Sequence, residues 1–161
     1  MPFSFKEAST ADKELLLKWT KELMAHESVD EDLELPLVDN IDEKLEQWLE
    51  NLLIDPNCLL IIASDKRLRP AGLIIAAVQA MPNDFTPLEA HGLIQMVWVD
   101  PEFRQQGLAK ELVLTLEKTF EEMGIPYCEI QYSSVNVEAA IFWKKLGYQV
   151  VSYNARKFFK S

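Results

Sequence analysis

Apolar positions recur along this chain with two periods, and the switches between them divide it into elements. Residues 3–8 alternate in strand fashion. Ser9 or Thr10 offers a cap for a helix beginning near Ala11, with Glu14 close enough to complete it. Leu16, Trp19 and Leu23, with Leu15 beside them, form that helix's apolar stripe, which runs to about His26. The acidic run of Glu27, Asp30, Glu31, Asp32 and Glu34 reads as a loop. Asn40 and Glu43 give a second cap signal, and Ile41, Leu45, Trp48, Leu49 and Leu52 line one face of a second helix. Asp55, Pro56 and Asn57 stop it.

Residues 58–63 and 71–80 are apolar runs joined by the charged turn 65–69, the pattern of a hairpin. Residues 81–90 hold two prolines and form a loop. In the strand over 91–99, Leu93, Gln95, Val97 and Val99 are expected on one face and Ile94, Met96 and Trp98 on the other. Both faces are largely apolar, so this strand is expected to be central and covered on both sides. Leu108, Leu112, Leu116 and Phe120 stand four apart in a helix over 107–123, which Gly124 ends. A strand over 125–132, a short helix over 137–146 capped by Gly147, and strands over 148–153 and 156–159 complete the chain. The order predicts one α/β (α+β) domain over residues 1–161, with a mixed, strongly twisted sheet and helices on both faces. No repeat, low-complexity tract or linker interrupts it.

Composition narrows the function. With 161 residues, 48% of them hydrophobic, the chain has enough apolar material for a core without disulfides or a structural metal. Its two cysteines, Cys58 and Cys128, lie in apolar stretches and read as reduced residues of a cytoplasmic protein. No apolar run is long enough to span a bilayer, and no apolar leader follows Met1. The net charge of −10 argues against nucleic acid or an anionic membrane as partner, and suits either plain solubility or a cationic acceptor such as an amine.

The chemistry concentrates in the strand–loop–helix around residues 95–123. The turn reads Asp100-Pro101-Glu102-Phe103-Arg104-Gln105-Gln106-Gly107-Leu108-Ala109-Lys110. The first N–H groups of a helix lack internal partners and sit at the positive end of its dipole, so such an end takes phosphate. Gly107 lets an anion approach the backbone, small Ala109 keeps the helix start open, and Arg104 and Lys110 add charge. An ordinary strand-to-helix turn fits these residues as well. Neither Gly-x-x-x-x-Gly-Lys-Ser/Thr nor Gly-x-Gly-x-x-Gly occurs. His26 and His91 lack metal-ligand spacing, so no metal is expected; His91 begins the central strand, which would put it near an acceptor cleft.

Arg104-Gln105-Gln106-Gly107-Leu108-Ala109 resembles the Arg/Gln-x-x-Gly-x-Gly/Ala signature of the GCN5-related N-acetyltransferase (GNAT) family. A second block, Asn136, Ala139-Ala140 and Phe142-Trp143-Lys144-Lys145-Leu146-Gly147-Tyr148, is similar to that family's Asn-x-x-Ala-x-x-Phe-Tyr-x-x-x-Gly-Phe/Tyr. The resemblance is clear over residues 91–150. It implies a mostly antiparallel sheet of six to seven strands with about four helices. Acetyl-CoA is the implied cosubstrate and a primary amine of a small molecule or polyamine the implied acceptor, with a homodimer as a further possibility. The site would use Val97, Trp98 and Val99 for the pantetheine arm and Gln105, Gln106, Gly107, Leu108, Ala109 and Lys110, with Arg104, for the pyrophosphate. Asn136 would bond the pantetheine or a nearby backbone group. Leu23-Met24-Ala25-His26-Glu27 before an acidic stretch faintly resembles the polyamine branch.

Two positions depart from the family pattern. Trp143 stands where many members carry an acidic Tyr, and Gln131 where some carry a glutamate base. Indole N–H is not a usable acid. The catalytic residue is therefore unassigned, with Glu129, Tyr132 and Tyr148 as substitutes. The alternatives are a CoA-binding regulatory module with little transferase activity, a protein N-terminal or lysine acetyltransferase, and an interaction domain whose turn binds nothing.

Overall fold

The computed structural model describes residues 2–27 and 31–159. Five strands form one sheet in the order of the chain: β1 (Ser4–Glu7), β2 (Cys58–Ser64), β3 (Pro70–Ala80), β4 (Ala90–Val99) and β5 (Cys128–Ile130). The first four pair antiparallel and β4 pairs β5 in parallel. A parallel pair needs a crossover, and α3 (Leu108–Glu122) supplies it. Helices α1 (Lys13–His26) and α2 (Ile41–Ile54) lie between β1 and β2 in sequence, and α4 (Val137–Lys145) follows β5.

Two apolar clusters sandwich the sheet. Leu60, Ile62, Leu73 and Ile75 face α1 and α2 with Leu16, Trp19 and Leu49. Ile61, Ala63, Ile74 and Ala76 face α3 with Leu108, Leu112, Leu116 and Phe120. Those four α3 residues are 1% exposed or less, so the four-residue spacing delivers the buried stripe it predicted. Each such side chain contributes about 1.5–3 kcal/mol by leaving water. Gly92 lets α3 approach β4: a Cβ there would lie 2.6 Å from the Phe120 ring and 2.9 Å from Cys128 Sγ.

The β3–β4 ladder slips at one place. Ile94 pairs Ala76 and Met96 pairs Ile75, so Gln95 is an extra residue, a β-bulge. The bulge corrects the expected faces of β4. Ile94 joins the α3 cluster, whereas Met96 and Trp98 join the α1/α2 cluster. Strict alternation assigned all three to one face, and a single inserted residue reverses the side chains beyond it.

The sheet has five strands where six to seven were expected. Residues 148–153 and 156–159 form no strand. Their alternation marks a face that a strand would bury, but a strand exists only against a neighbour's backbone. Beyond Tyr148, whose N–H bonds Trp143 C=O to close α4, Val150, Val151, Tyr153 and Phe159 are exposed. The Arg156 guanidinium donates instead to Leu33 C=O, tying this segment to the 3-10 turn Glu31–Leu33. The strand expected over 125–132 shortens to Cys128–Ile130. Pro126 has no N–H to give, and β4 bulges away just past Ile94. At the other end, a 3-10 turn (Thr10–Asp12) precedes α1, and Asp12 rather than Glu14 closes the cap, accepting the Ser9 N–H at 2.9 Å. Part of the expected acidic loop, including Asp30, lies outside the described residues.

Candidate functional site

The bulge at Gln95 and the brevity of β5 together open the sheet. β4 and β5 pair only through Gly92–Cys128, Leu93–Glu129 and Ile94–Ile130. From Gln95 to Val99, β4 is bonded to β3 on one side and has no ladder on the other among the described residues. Backbone groups of Val97 and Val99 therefore border a cleft, an edge that an extended ligand joins as an added strand. At its far end the Arg104 Nε–H donates to Val99 C=O at 3.0 Å, and the guanidinium lies 4.8 Å over the Trp98 ring. The Arg104 side chain thus anchors the loop to β4 rather than pointing freely into the phosphate cradle.

The loop between β4 and α3 is tightly braced. Asp100 Oδ1 accepts the Glu102 N–H at 3.2 Å, a 3-10 turn spans Pro101–Phe103, and Phe103 is buried against Phe3. Arg69 reaches Asp65 at 2.8 Å and Glu102 at 3.0 Å, so the shallow depression beside it, lined also by Lys66 and Gln106, has its central cation already paired. Gln105 and Gly107 adopt φ of +63° and +77°, which turns the chain sharply into α3. Gly107 occupies the N-cap and offers no capping side chain, leaving the first-turn N–H groups for an external acceptor. A Cβ at Gly107 would meet nothing within 4 Å, so the space above this helix start is open.

That space is a cavity of about 490 Å³ lined by Val99, Arg104, Gln105, Gly107, Leu108, Ala109 and Lys110. Its opposite wall is Phe142, Lys145 and Leu146 from the end of α4. Lys145 and Phe142 escaped the sequence reading as site residues, although both lie in the second motif block and Lys145 is in the basic last turn of α4. The result is a cleft that begins at open strand backbone and ends in a positive rim built from the start of one helix and the end of another. An acidic chain has placed its local cations where a phosphate-bearing ligand would need them.

The remaining candidates stand apart from this rim. Asn136 caps α4, its Oδ1 accepting the Ala139 N–H at 3.0 Å. Trp143 is 5% exposed, edge-on to Phe142 and Tyr148, and belongs to the α3-side core. Tyr148 donates to Glu117 at 2.8 Å, and burial beside that carboxylate raises its pKa above the ordinary phenol value. Tyr132 packs partly buried against the same core. Burial, with Asp55 near Cys58 and Glu117 near Cys128, pushes both thiols up to about 11, far from a nucleophile's range. Glu129 is half-exposed, with His91 behind it. His26 stands edge-on to Trp98 at the end of α1.

The sequence profile of the acetyltransferase (GNAT) family matches residues 18–148. Solved structures share the fold. A GCN5-related N-acetyltransferase from Ralstonia eutropha superposes with a TM-score of 0.79 at 16% identity, over 97% of this chain and 98% of that one. A predicted acetyltransferase from Clostridium acetobutylicum, solved with acetyl-CoA, gives 0.77 at 20% identity, over 97% and 96%. An aminoglycoside 6'-N-acetyltransferase from Acinetobacter haemolyticus gives 0.72 at 18% identity, over 97% and 99%. No curated protein matches significantly. No helix among the described residues is long and apolar enough to cross a membrane.

Proposed function

Since the chain belongs to the acetyltransferase (GNAT) family, we propose that it moves an acetyl group from acetyl-CoA to a primary amine of a small, cationic molecule. The observation that carries this reading is continuity: the unpaired β4 backbone leads from Gln95 directly to the uncapped start of α3. A pantetheine arm lies along Val97 and Val99, the pyrophosphate sits over the N–H groups of residues 105–110, and Lys110 and Lys145 balance its charge. The thioester then falls near the bulge. The neutral amine attacks the thioester carbon; the C–N bond forms, the C–S bond breaks, the sulfur gains a proton and the amine loses one. Holding both reactants in one cleft supplies much of the acceleration. The structure of the Clostridium acetobutylicum protein with acetyl-CoA supports the choice of donor. The test is release of CoA thiol from acetyl-CoA by the purified chain across a panel of small amines. No release above background with any amine would sink the reading.

One observation favours a second reading, a CoA-binding module without fast transfer. Trp143 is buried in the core and Tyr148 is committed to Glu117, so neither is placed to protonate a departing thiolate. Tight acetyl-CoA binding by calorimetry without turnover on a broad panel would favour it.

A further inference from the structure

The loop between β4 and α3 carries a carboxylate to which acetyl transfer, as proposed, gives no part. Glu102 stands in the 3-10 turn Pro101–Phe103, three residues before Gln105. That puts it within about 11 Å of the anion cradle along the chain. A chain of net charge −10 that binds a multiply charged anion is hindered by a further negative side chain there. Arg69 meets that carboxylate: its Nη1 donates to Glu102 Oε1 at 3.0 Å, from 33 positions earlier in the chain.

The turn between β2 and β3 is built to hold the guanidinium in place. Asp65 Oδ1 accepts the N–H groups of Arg67 and Arg69, each at 2.9 Å. Asp65 Oδ2 takes Arg69 Nε at 2.8 Å and Nη2 at 2.8 Å. The Asp65 side chain is 14% exposed and that of Glu102 64%, so Asp65 fixes the cation and Glu102 receives the remaining arm of its fork. Leu68 bends the turn with a φ of +62°, a conformation bulky residues rarely take. The guanidinium carbon also lies 5.1 Å from the centre of the Phe103 ring. Phe103 lines both the depression beside Arg69 and the cavity of about 490 Å³, so the cation stands behind one wall of the proposed donor site. An exposed ion pair of this kind contributes little to stability. Its place bears instead on the charge that the donor meets.

We propose that Arg69 sets the affinity for the CoA phosphates by neutralising Glu102, the carboxylate of the loop that would hold them. The inference rests on the reading that puts the pyrophosphate over residues 105–110. Asp65, Arg69 and Glu102 are two carboxylates and one guanidinium, a net charge of −1. Arg69→Gln makes that −2 and Glu102→Gln makes it 0, whereas the double variant returns it to −1 with no ion pair left. One unit charge about 10 Å from one phosphate charge changes affinity by between about twofold and about fifteenfold, for effective dielectrics of about 80 and about 20.

The test is calorimetric titration of acetyl-CoA into wild type, Arg69→Gln, Glu102→Gln and the double variant, at about 0.1 M and about 0.5 M salt, with melting recorded on the same samples. Arg69→Gln is expected to bind roughly fivefold more weakly than wild type at the lower salt. The double variant recovers to within about twofold of wild type, and Glu102→Gln alone binds at least as tightly as wild type. The deficit of Arg69→Gln shrinks at the higher salt, where charges about 10 Å apart are screened. If Arg69 only braced the loop, the double variant would stay as weak as Arg69→Gln, Glu102→Gln would also weaken, and salt would leave the deficit unchanged. Any of those results, or wild-type affinity in Arg69→Gln, overturns the proposal. Wild type that fails to bind acetyl-CoA would count against the transfer reading on which the inference stands, a failure distinct from the others.

Discussion

Replacing Gly107 separates the strain of the helix start from its charge. Its φ of +77° lies in the left-handed region, and an added Cβ would touch nothing within 4 Å. Gly107→Ala therefore pays conformational strain alone, about 1–2 kcal/mol. For a chain of this size that lowers the melting temperature by roughly 3–6 °C. Gly107→Glu carries the same strain, but a carboxylate at a helix start returns about 0.5 kcal/mol, so it should melt slightly above the alanine variant. Toward a bound pyrophosphate the sign reverses. A carboxylate about 6 Å from one phosphate charge, at an effective dielectric near 20, costs about 3 kcal/mol, or about a hundredfold in affinity. Thermal melting and CoA titration by calorimetry on both variants measure the two effects. If Gly107→Glu binds CoA as tightly as Gly107→Ala, the pyrophosphate does not sit over this helix start.

Gly92→Ala should destabilise by about 1–3 kcal/mol, because its Cβ would lie 2.6 Å from Phe120 in a closely packed core; a thermal melt matching wild type would contradict the packing. Tyr148→Phe leaves Glu117 without the donor it now holds at 2.8 Å and should cost about 1 kcal/mol in chemical denaturation, with no cost if that bond is absent in solution. Both thiols are pushed up to about 11 by burial, so alkylation of Cys58 and Cys128 by iodoacetamide should be slow at pH 8. Its rate should climb about tenfold per pH unit up to about pH 10, as the thiolate fraction does, and mass spectrometry showing free-cysteine rates at pH 8 would refute the burial argument.

The fold was legible where a local pattern coincides with a packed face. The stripe of α3 and the two-sided apolar runs of β2 and β3 need only knowledge of their own periods and are buried as their spacing predicts, whereas in α1 and α2 Leu16, Trp19, Leu49 and Leu52 are buried and the rest of each stripe, Ile41 and Leu45 among it, is only partly covered. The misreadings occur where a tertiary neighbour decides. Residues 148–159 have the alternation of strands but meet no ladder, and the Arg156 contact to Leu33 lies across most of the chain in sequence. The face reversal in β4 is a property of the β3–β4 register, which neither strand contains alone. A trace of it was present: Gln95 is an exposed polar residue inside an otherwise apolar run.

The candidate site divides along the same line. The proposed donor cleft consists mainly of backbone, and backbone geometry is dictated locally: a strand, a turn with two positive φ values, and a glycine at a helix start fall within residues 95–110. Such a site leaves a contiguous motif, and the motif was readable. Lys145 was not, because it meets that motif only when α4 packs against the start of α3. His91 and Glu129 come from β4 and β5, brought together across a pairing three residues long. Glu129 was named from the sequence as a substitute for the missing acid–base residue; the histidine near it stands 38 positions earlier and became its neighbour only through the register Leu93–Glu129. A bulge placed one residue away would have turned Gln95 and the open backbone to other positions while leaving the helix start untouched.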